Sequence, residues 1–195
     1  MRVLYIYSHP LDDSFHAALR GVAIERLAQA GHEVDLIDLY ADGFDPVLSA
    51  EGRRHYHDTS RNLEGIGDYA RRLTAAEGLV VQFPVWSFGP PAILKGFIDR
   101  VFAPGVAFDY VPGTLKLVPK TNLRRFWAFT TTGSPWWVVK FYMGDPVRRI
   151  LKRGIAAFCS KGLDFRMWAL HDMDDTTDEK RRRFLEKVRV AAATL

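Results

Sequence analysis

Cysteine is nearly absent from this 195-residue chain, in which Cys159 is the only one. A lone thiol excludes an intrachain disulfide framework. Long apolar runs are missing too: no stretch reaches the ~20 consecutive apolar residues that a membrane-crossing helix needs. The opening Met1-Arg2-Val3-Leu4-Tyr5-Ile6-Tyr7 breaks at Ser8-His9-Pro10. A run that short, without a small-residue cleavage site, does not read as a secretory leader, so a cytoplasmic location is the expectation. The chain has no G-x-G-x-x-G and no Walker A loop, which excludes the dinucleotide fingerprint and the P-loop. Repeats, low-complexity tracts and linkers are also lacking, and the length suits one domain over residues 1–195.

What is present reads as a packed globule, with 48% hydrophobic and 26% charged residues. The 13 Phe, 7 Tyr and 5 Trp exceed what a small core requires. The net charge of +4 could suit an acidic partner, but the basic residues are scattered. Arg53-Arg54, Arg71-Arg72, Arg124-Arg125 and Lys180 to Arg183 each fall in a different segment. Without zinc-finger spacing or an aromatic RNA-binding signature, no nucleic-acid partner is expected.

Periodicity predicts alternating strands and helices. Strands are expected at Arg2–Ser8, Glu33–Asp38, Gly78–Phe83, Arg124–Thr130 and Leu163–Leu170. Helices are expected at Ser14–Ala30, Asn62–Ala75, Pro91–Phe102, Asp145–Phe158 and Thr177–Ala193. In the first helix Phe15, Ala18, Leu19, Val22, Ala23 and Leu27 would form the apolar face. Ser14 fits its N-cap and Gly31 its C-terminal stop. Tyr40–Arg61 and Ala103–Leu123 read as irregular. Five strand–helix alternations predict a parallel sheet covered on both faces.

Ligands of such sheets bind beyond the carboxyl ends of the strands. After the first strand, His9, Ser14, Phe15 and His16 lead into a helix N-terminus, which suits an anion such as a phosphate. After the third, Pro84-Val85-Trp86-Ser87-Phe88-Gly89-Pro90-Pro91 combines aromatics with rigid turn residues, and Gly89 would let a flat ligand approach the backbone. After the fourth, Thr131-Thr132-Gly133-Ser134 offers hydroxyls and amides to a heterocycle edge. An anion site, a flat slot and a polar rim on one sheet edge describe a site for a phosphorylated flat heterocycle, flavin first among candidates.

The run Gln82 to Phe102 follows the pattern FP-x-x-x-FG-x-PAILKG-x-x-(D/E)-RVF almost throughout. With His9…Ser14-Phe15, Asp38-Leu39-Tyr40, Phe44-Asp45-Pro46-Val47, Ala107-Phe108-Asp109-Tyr110 and Thr131-Thr132-Gly133, it resembles the flavin-dependent NAD(P)H:quinone oxidoreductases of the DT-diaphorase-like group. The resemblance runs from the first to the fourth strand. It implies a flavodoxin-like sheet of order 2-1-3-4-5, a homodimer, and a ping-pong hydride transfer from NADH or NADPH through flavin to a quinone. The His-Pro…Ser-Phe loop is more similar to FAD-binding members, while the compact length also suits FMN. By resemblance His9, Ser14, Phe15 and His16 lie along the phosphate and ribityl side. Pro84, Val85, Trp86, Ser87 and Phe88 pack on the ring, and Thr131, Thr132 and Gly133 border its polar edge. Tyr110 matches a tyrosine that closes the site from the partner subunit.

The family's Tyr/His pair after the glycines is replaced here by Pro135-Trp136-Trp137-Val138-Val139-Lys140-Phe141-Tyr142, in which Lys140 or Tyr142 would take the charge-stabilising role. Two alternatives share the fold: a regulatory flavoprotein subunit of a potassium-efflux system, and an azo- or nitro-compound reductase. An acidic electron-carrier flavodoxin does not fit the basic charge. Cys159 reads as a structural thiol, and His55 with His57, two apart and without further ligands, does not read as a metal site. The acidic His171 to Asp175 stretch reads as a solvated turn before the last helix. Arg148, Arg149, Lys152 and Arg153 read as a solvated face.

Overall fold

The computed structural model describes residues 1–114 and 116–195. Five strands make one parallel sheet: β1 (Arg2–Tyr7), β2 (Glu33–Asp38), β3 (Gly78–Pro84), β6 (Arg125–Thr131) and β7 (Asp164–Leu170), in the spatial order β2-β1-β3-β6-β7. Counting sheet strands alone, this is the expected order 2-1-3-4-5. The two remaining strands, β4 (Phe108–Tyr110) and β5 (Leu117–Pro119), form a small antiparallel hairpin. The helices are α1 (Phe15–Gln29), α2 (Ala50–Arg54), α3 (Gly67–Ala75), α4 (Ala92–Val101), α5 (Pro146–Arg149), α6 (Ala157–Cys159) and α7 (Asp178–Ala192). Among the described residues no helix is long and apolar enough to cross a membrane.

Period-two alternation splits each strand between two cores. Leu4 and Ile6 of β1, Val81 and Phe83 of β3 and Phe126 of β6 face a cluster closed by Leu94 and Phe97 of α4. Val3, Tyr5 and Tyr7 with Val80, Trp127 and Phe129 face the opposite cluster, closed by Leu19 of α1 and by Phe184 and Val188 of α7. Burial on both faces explains why β3 is buried at every position. Cys159 belongs to the first cluster, fully buried, and desolvation pushes its thiol up to about 12.

Several boundaries differ from the sequence expectation. The helix expected from Asn62 starts at Gly67, because residues 58–66 close a series of turns, with Asn62 Nδ2 donating to the carbonyls of Tyr56 and Pro104. The expected helix Asp145–Phe158 is α-helical only at its ends, with a π-helical segment at Ile150–Ala156 and another just upstream at Val138–Tyr142. Wide i→i+5 turns have no hydrophobic period of their own in the sequence, and they cluster near functional sites. The two stretches read as irregular hold α2 and the β4–β5 hairpin. The buried face of α1 runs through His16, Leu19, Ala23 and Leu27, leaving Ala18 exposed. Ser14 caps this helix, its hydroxyl accepting from the Ala17 amide at 3.2 Å, and Gly31 follows its end at φ 81°.

The register sets the ends of the strands level. Tyr7 pairs with Gln82 and Asp38, Pro84 with Thr131, and Thr131 with Leu170. The loops after all five strands therefore leave the sheet along one edge.

Candidate active site

The loops after β1, β3, β6 and β7 enclose a cleft of ≈ 600 Å³. The first contributes His9, Ser14, Phe15 and His16, the second Pro84, Val85, Trp86 and Ser87, and the third Thr131, Thr132 and Gly133. Eleven of the fifteen residues singled out from the sequence thus meet in one place. Phe88 points instead into an adjoining smaller cavity, which Lys140 also lines. Tyr142 is 82% exposed, and Tyr110 stands on the hairpin against His57, ring centroids 5.2 Å apart; neither lines the cleft of its own chain.

A directed hydrogen-bond chain crosses the floor. The Tyr5 hydroxyl donates to Gln82 Oε1, which orients the Gln82 amide. Gln82 Nε2 then donates to the His16 carbonyl at 2.6 Å and to His16 Nδ1 at 3.2 Å. Because Nδ1 accepts, the proton of neutral His16 sits on Nε2, which donates to Thr131 Oγ1 at 2.9 Å. The Thr131 hydroxyl is then left with its own proton to donate. Burial, and secondarily His9, hold His16 neutral by lowering its pKa to about 3. His9 stacks on it with centroids 5.4 Å apart. Burial lowers His9 as well, and its Nδ1 accepts from the Leu11 amide at 3.1 Å, so Nε2–H is its free donor. Helix geometry gives the Phe15 and His16 amides no acceptor within α1. Donors and the positive end of the helix thus converge at one side of the cleft, an arrangement suited to an anion.

The opposite wall is a tight turn, Trp86-Ser87-Phe88-Gly89, closed by reciprocal hydrogen bonds between Trp86 and Gly89 at 3.0 and 2.9 Å. Both central residues are left-handed, Ser87 at φ 48° and Phe88 at φ 59°. This is the type I′ geometry, which ordinarily selects Gly or Asn at these positions. Gly89 is therefore not the residue that supplies conformational freedom. The strain falls on Ser87 and Phe88, whose amides have no acceptor among the described residues and sit as a small anion-attracting nest. Left-handed side-chain residues cost of order 1–2 kcal/mol each. Ser87→Gly should accordingly raise stability by up to about 1 kcal/mol after the entropy of the added glycine is subtracted. Urea denaturation of the ligand-free protein measures this, and a clear destabilisation would show that the serine side chain holds the turn.

Some site residues escaped the sequence reading. Gln82 signalled itself only as the single polar residue inside an apolar strand. Met173 and Asp174 line the cleft from the loop read as a solvated turn, and a Cβ on Gly133 would lie 2.2 Å from Asp174 Oδ2. His171, from the same loop, lines the adjoining cavity, while Thr177 does cap α7 as a solvated turn would require. Lys140 is ion-paired with Asp145, and Arg148 lies 5.7 Å over the Phe165 ring.

Comparison with known proteins agrees with this architecture. Residues 1–193 match the Flavodoxin_2 family, described by its flavodoxin-like fold. Ribosyldihydronicotinamide dehydrogenase [quinone] of Pongo abelii is 37% identical over 128 residues, 57% of this chain and 55% of that protein. NAD(P)H dehydrogenase [quinone] 1 of Cavia porcellus is 35% identical over 150 residues, 68% of this chain and 54% of that one. The chain thus spans about half the length of these curated relatives. The crystal structure of Smu.1420 from Streptococcus mutans UA159 superposes with a TM-score of 0.84, at 31% identity and 100% coverage of both chains. With the family matched over nearly its whole length and its strand order reproduced, the chain belongs to the flavodoxin-like family that includes the NAD(P)H:quinone oxidoreductases.

Proposed function

We propose that this protein is a flavin-dependent NAD(P)H dehydrogenase acting on quinones, with FAD as the flavin. The observation that carries the reading is the convergence of an anion-suited helix terminus, an aromatic wall and a hydroxyl rim on one cleft. The residues present fit such a group: the cleft volume lies within the range of cofactor sites, and unmet donors stand at both ends of it. A bound flavin would supply the hydride chemistry, accepting two electrons from NAD(P)H and passing them to the acceptor.

The chain's own residues bind, orient and balance charge. The amides of Phe15 and His16, with His9 Nε2, would hold the phosphate side. Pro84, Val85 and Trp86 would pack against the ring, and Trp86, 45% exposed, has apolar surface to give up. The Ser87 and Phe88 amides are fixed before any ligand arrives, so they can stabilise negative charge without reorganisation. The Thr131 hydroxyl, aimed by His16, and the Thr132–Gly133 backbone would border the polar edge. Nicotinamide and quinone would take turns in the same slot.

A homodimer completes the reading. Trp137, Phe141 and Tyr142, in the segment after β6, are exposed at 55%, 76% and 82%, an apolar surface of the kind that oligomers bury. Tyr110 would reach the partner's cleft across that interface. Lys140 and Tyr142 are the candidates for stabilising reduced flavin.

The test is to purify the protein, release its flavin and weigh it, then assay NADH and NADPH with a quinone. The expected result is a yellow dimer that releases FAD and turns over quinone. FMN in its place would correct the cofactor alone, and bound flavin without turnover would favour the regulatory subunit. A protein that stays colourless with both flavins added would overturn the reading.

A further inference from the structure

Behind the turn at residues 86–89 lies a second cavity of ≈ 230 Å³. It meets the cleft at Val85 and Thr132, which line both. Val85, Phe88, Val139, Val147 and Met167 make its walls apolar. Its polar groups are few and sharply placed: Lys140, Arg148, Asp145 and His171. Lys140 is ion-paired with Asp145, which leaves the charge of Arg148 without an acidic partner among the lining residues. His171 Nδ1 is buried without a hydrogen-bond partner among the described residues. Such an atom costs free energy unless something enters to pair with it. The two residues that frame this group are themselves forced into left-handed backbone, Asp145 and Asp172 each at φ 55°. Lys140 stands half-exposed at the mouth, so the cavity has an entrance.

Each property narrows the occupant. The volume exceeds the ~150 Å³ that takes up a benzene, so one substituted six-membered ring fits. Apolar walls call for a carbocyclic or branched body, and the charge excess calls for a single negative charge. The buried imidazole nitrogen calls for one oxygen within hydrogen-bond reach. We propose that this cavity is a binding site for a small monocyclic monoanion, a benzoate- or phenolate-type molecule, with its oxygen toward His171 and Lys140 and its ring against Phe88 and Met167. The site adjoins the cleft through Val85 and Thr132, and the observations behind it do not depend on which ligand the cleft takes. Its occupant would press on Phe88, in the same strained turn whose Trp86 and Ser87 line the cleft, so it is placed to modulate whatever binds there.

Methionine-methyl NMR of the full-length protein tests this, because Met167 is one of only four methionines. Benzoate titrated into the protein, with and without added flavin, should shift the Met167 methyl saturably. Benzamide, the neutral isostere, should bind about tenfold more weakly, the difference expected for a charge-assisted hydrogen bond. Ala169→Leu fills the cavity from its own lining and should abolish the shift. His171→Leu, a second variant in case the first does not fold, should weaken benzoate more than benzamide. An unmoved Met167 methyl at millimolar benzoate would overturn the proposal, and so would a shift that survives both substitutions. Either result is readable whether or not the protein binds flavin.

Discussion

Gly96→Ala should destabilise the protein by about 3 kcal/mol or more, although alanine is the better helix former by about 1 kcal/mol. Gly96 lies inside α4, where the segment Phe44 to Val47 crosses the helix. A Cβ there would stand 2.2 Å from the Pro46 carbonyl oxygen and 2.4 and 2.6 Å from the Pro46 Cβ and Cα. The obstacle is backbone, so no rotamer change relieves it. Nor can the segment lift off cheaply. Phe44 is buried edge-on against Phe97, centroids 5.2 Å apart, and the Arg100 guanidinium sits over the Phe44 ring while Nη1 donates to the Asp45 carbonyl. Urea denaturation gives the number directly, through a lowered midpoint at constant slope. A loss below 1 kcal/mol would mean that the crossing loop yields, and that the close approach is not what requires glycine at this position.

The second large effect is a dependence of stability on pH centred on His16. Its pKa is near 6.5 when unfolded and about 3 when folded, so the unfolded chain binds a proton that the native state refuses. Folding stability contributed by neutral His16 is therefore complete above pH 6.5. It falls by about 1.4 kcal/mol for each pH unit below that, until pH approaches 3. At about pH 5 the accumulated loss is roughly 2 kcal/mol. Burial also lowers His9 and His171, which adds to the slope in the same direction. His16→Asn isolates the one group, since an amide can bridge Gln82 and Thr131 without titrating. The variant should show a flatter stability profile between pH 6.5 and about 4, by close to one proton's worth of slope. Identical slopes would show that the chain Tyr5–Gln82–His16–Thr131 opens to water long before the protein unfolds.

Both effects bear on what the sequence can disclose. Phe44-Asp45-Pro46-Val47 and Lys95-Gly96-Phe97 are visible as motif pieces, but nothing in either says that one lies across the other. Local patterns reported local structure well: Ser14 and Gly31 bracket α1, and short apolar runs rich in β-branched and aromatic residues located the sheet strands. They failed where the backbone departs from a regular period. The π-helical segments around Val138–Tyr142 and Ile150–Ala156 read as loop and plain helix, since a wide turn leaves no hydrophobic signature. The strained pair Ser87 and Phe88 was hidden because the neighbouring Gly89 offered the easier explanation. His16 was legible in another way. It falls in step with Leu19, Ala23 and Leu27, a 3-4-4 spacing that marks a buried stripe, and a histidine in that stripe must find partners inside. The site's anion side, wall and rim could be located from the rule that ligands sit beyond strand carboxyl ends. The contribution of the β7 loop could not, because an acidic turn with exposed aspartates looks like ordinary solvent-facing chain.

The level strand ends carry a consequence for how the molecule is made. The His16–Thr131 hydrogen bond joins groups 115 positions apart, and Met173 and Asp174 enter the cleft from beyond the last strand. No early, locally closed piece of the chain contains the cleft, so a ligand cannot act as a folding template for the first half. During synthesis the amino-terminal units must wait for β7 to leave the ribosome before the cleft exists. Contacts of such long sequence separation slow folding. Loading of any ligand therefore follows the emergence of β7 and the loop after it, and stabilises the chain only then, by mass action on the native state.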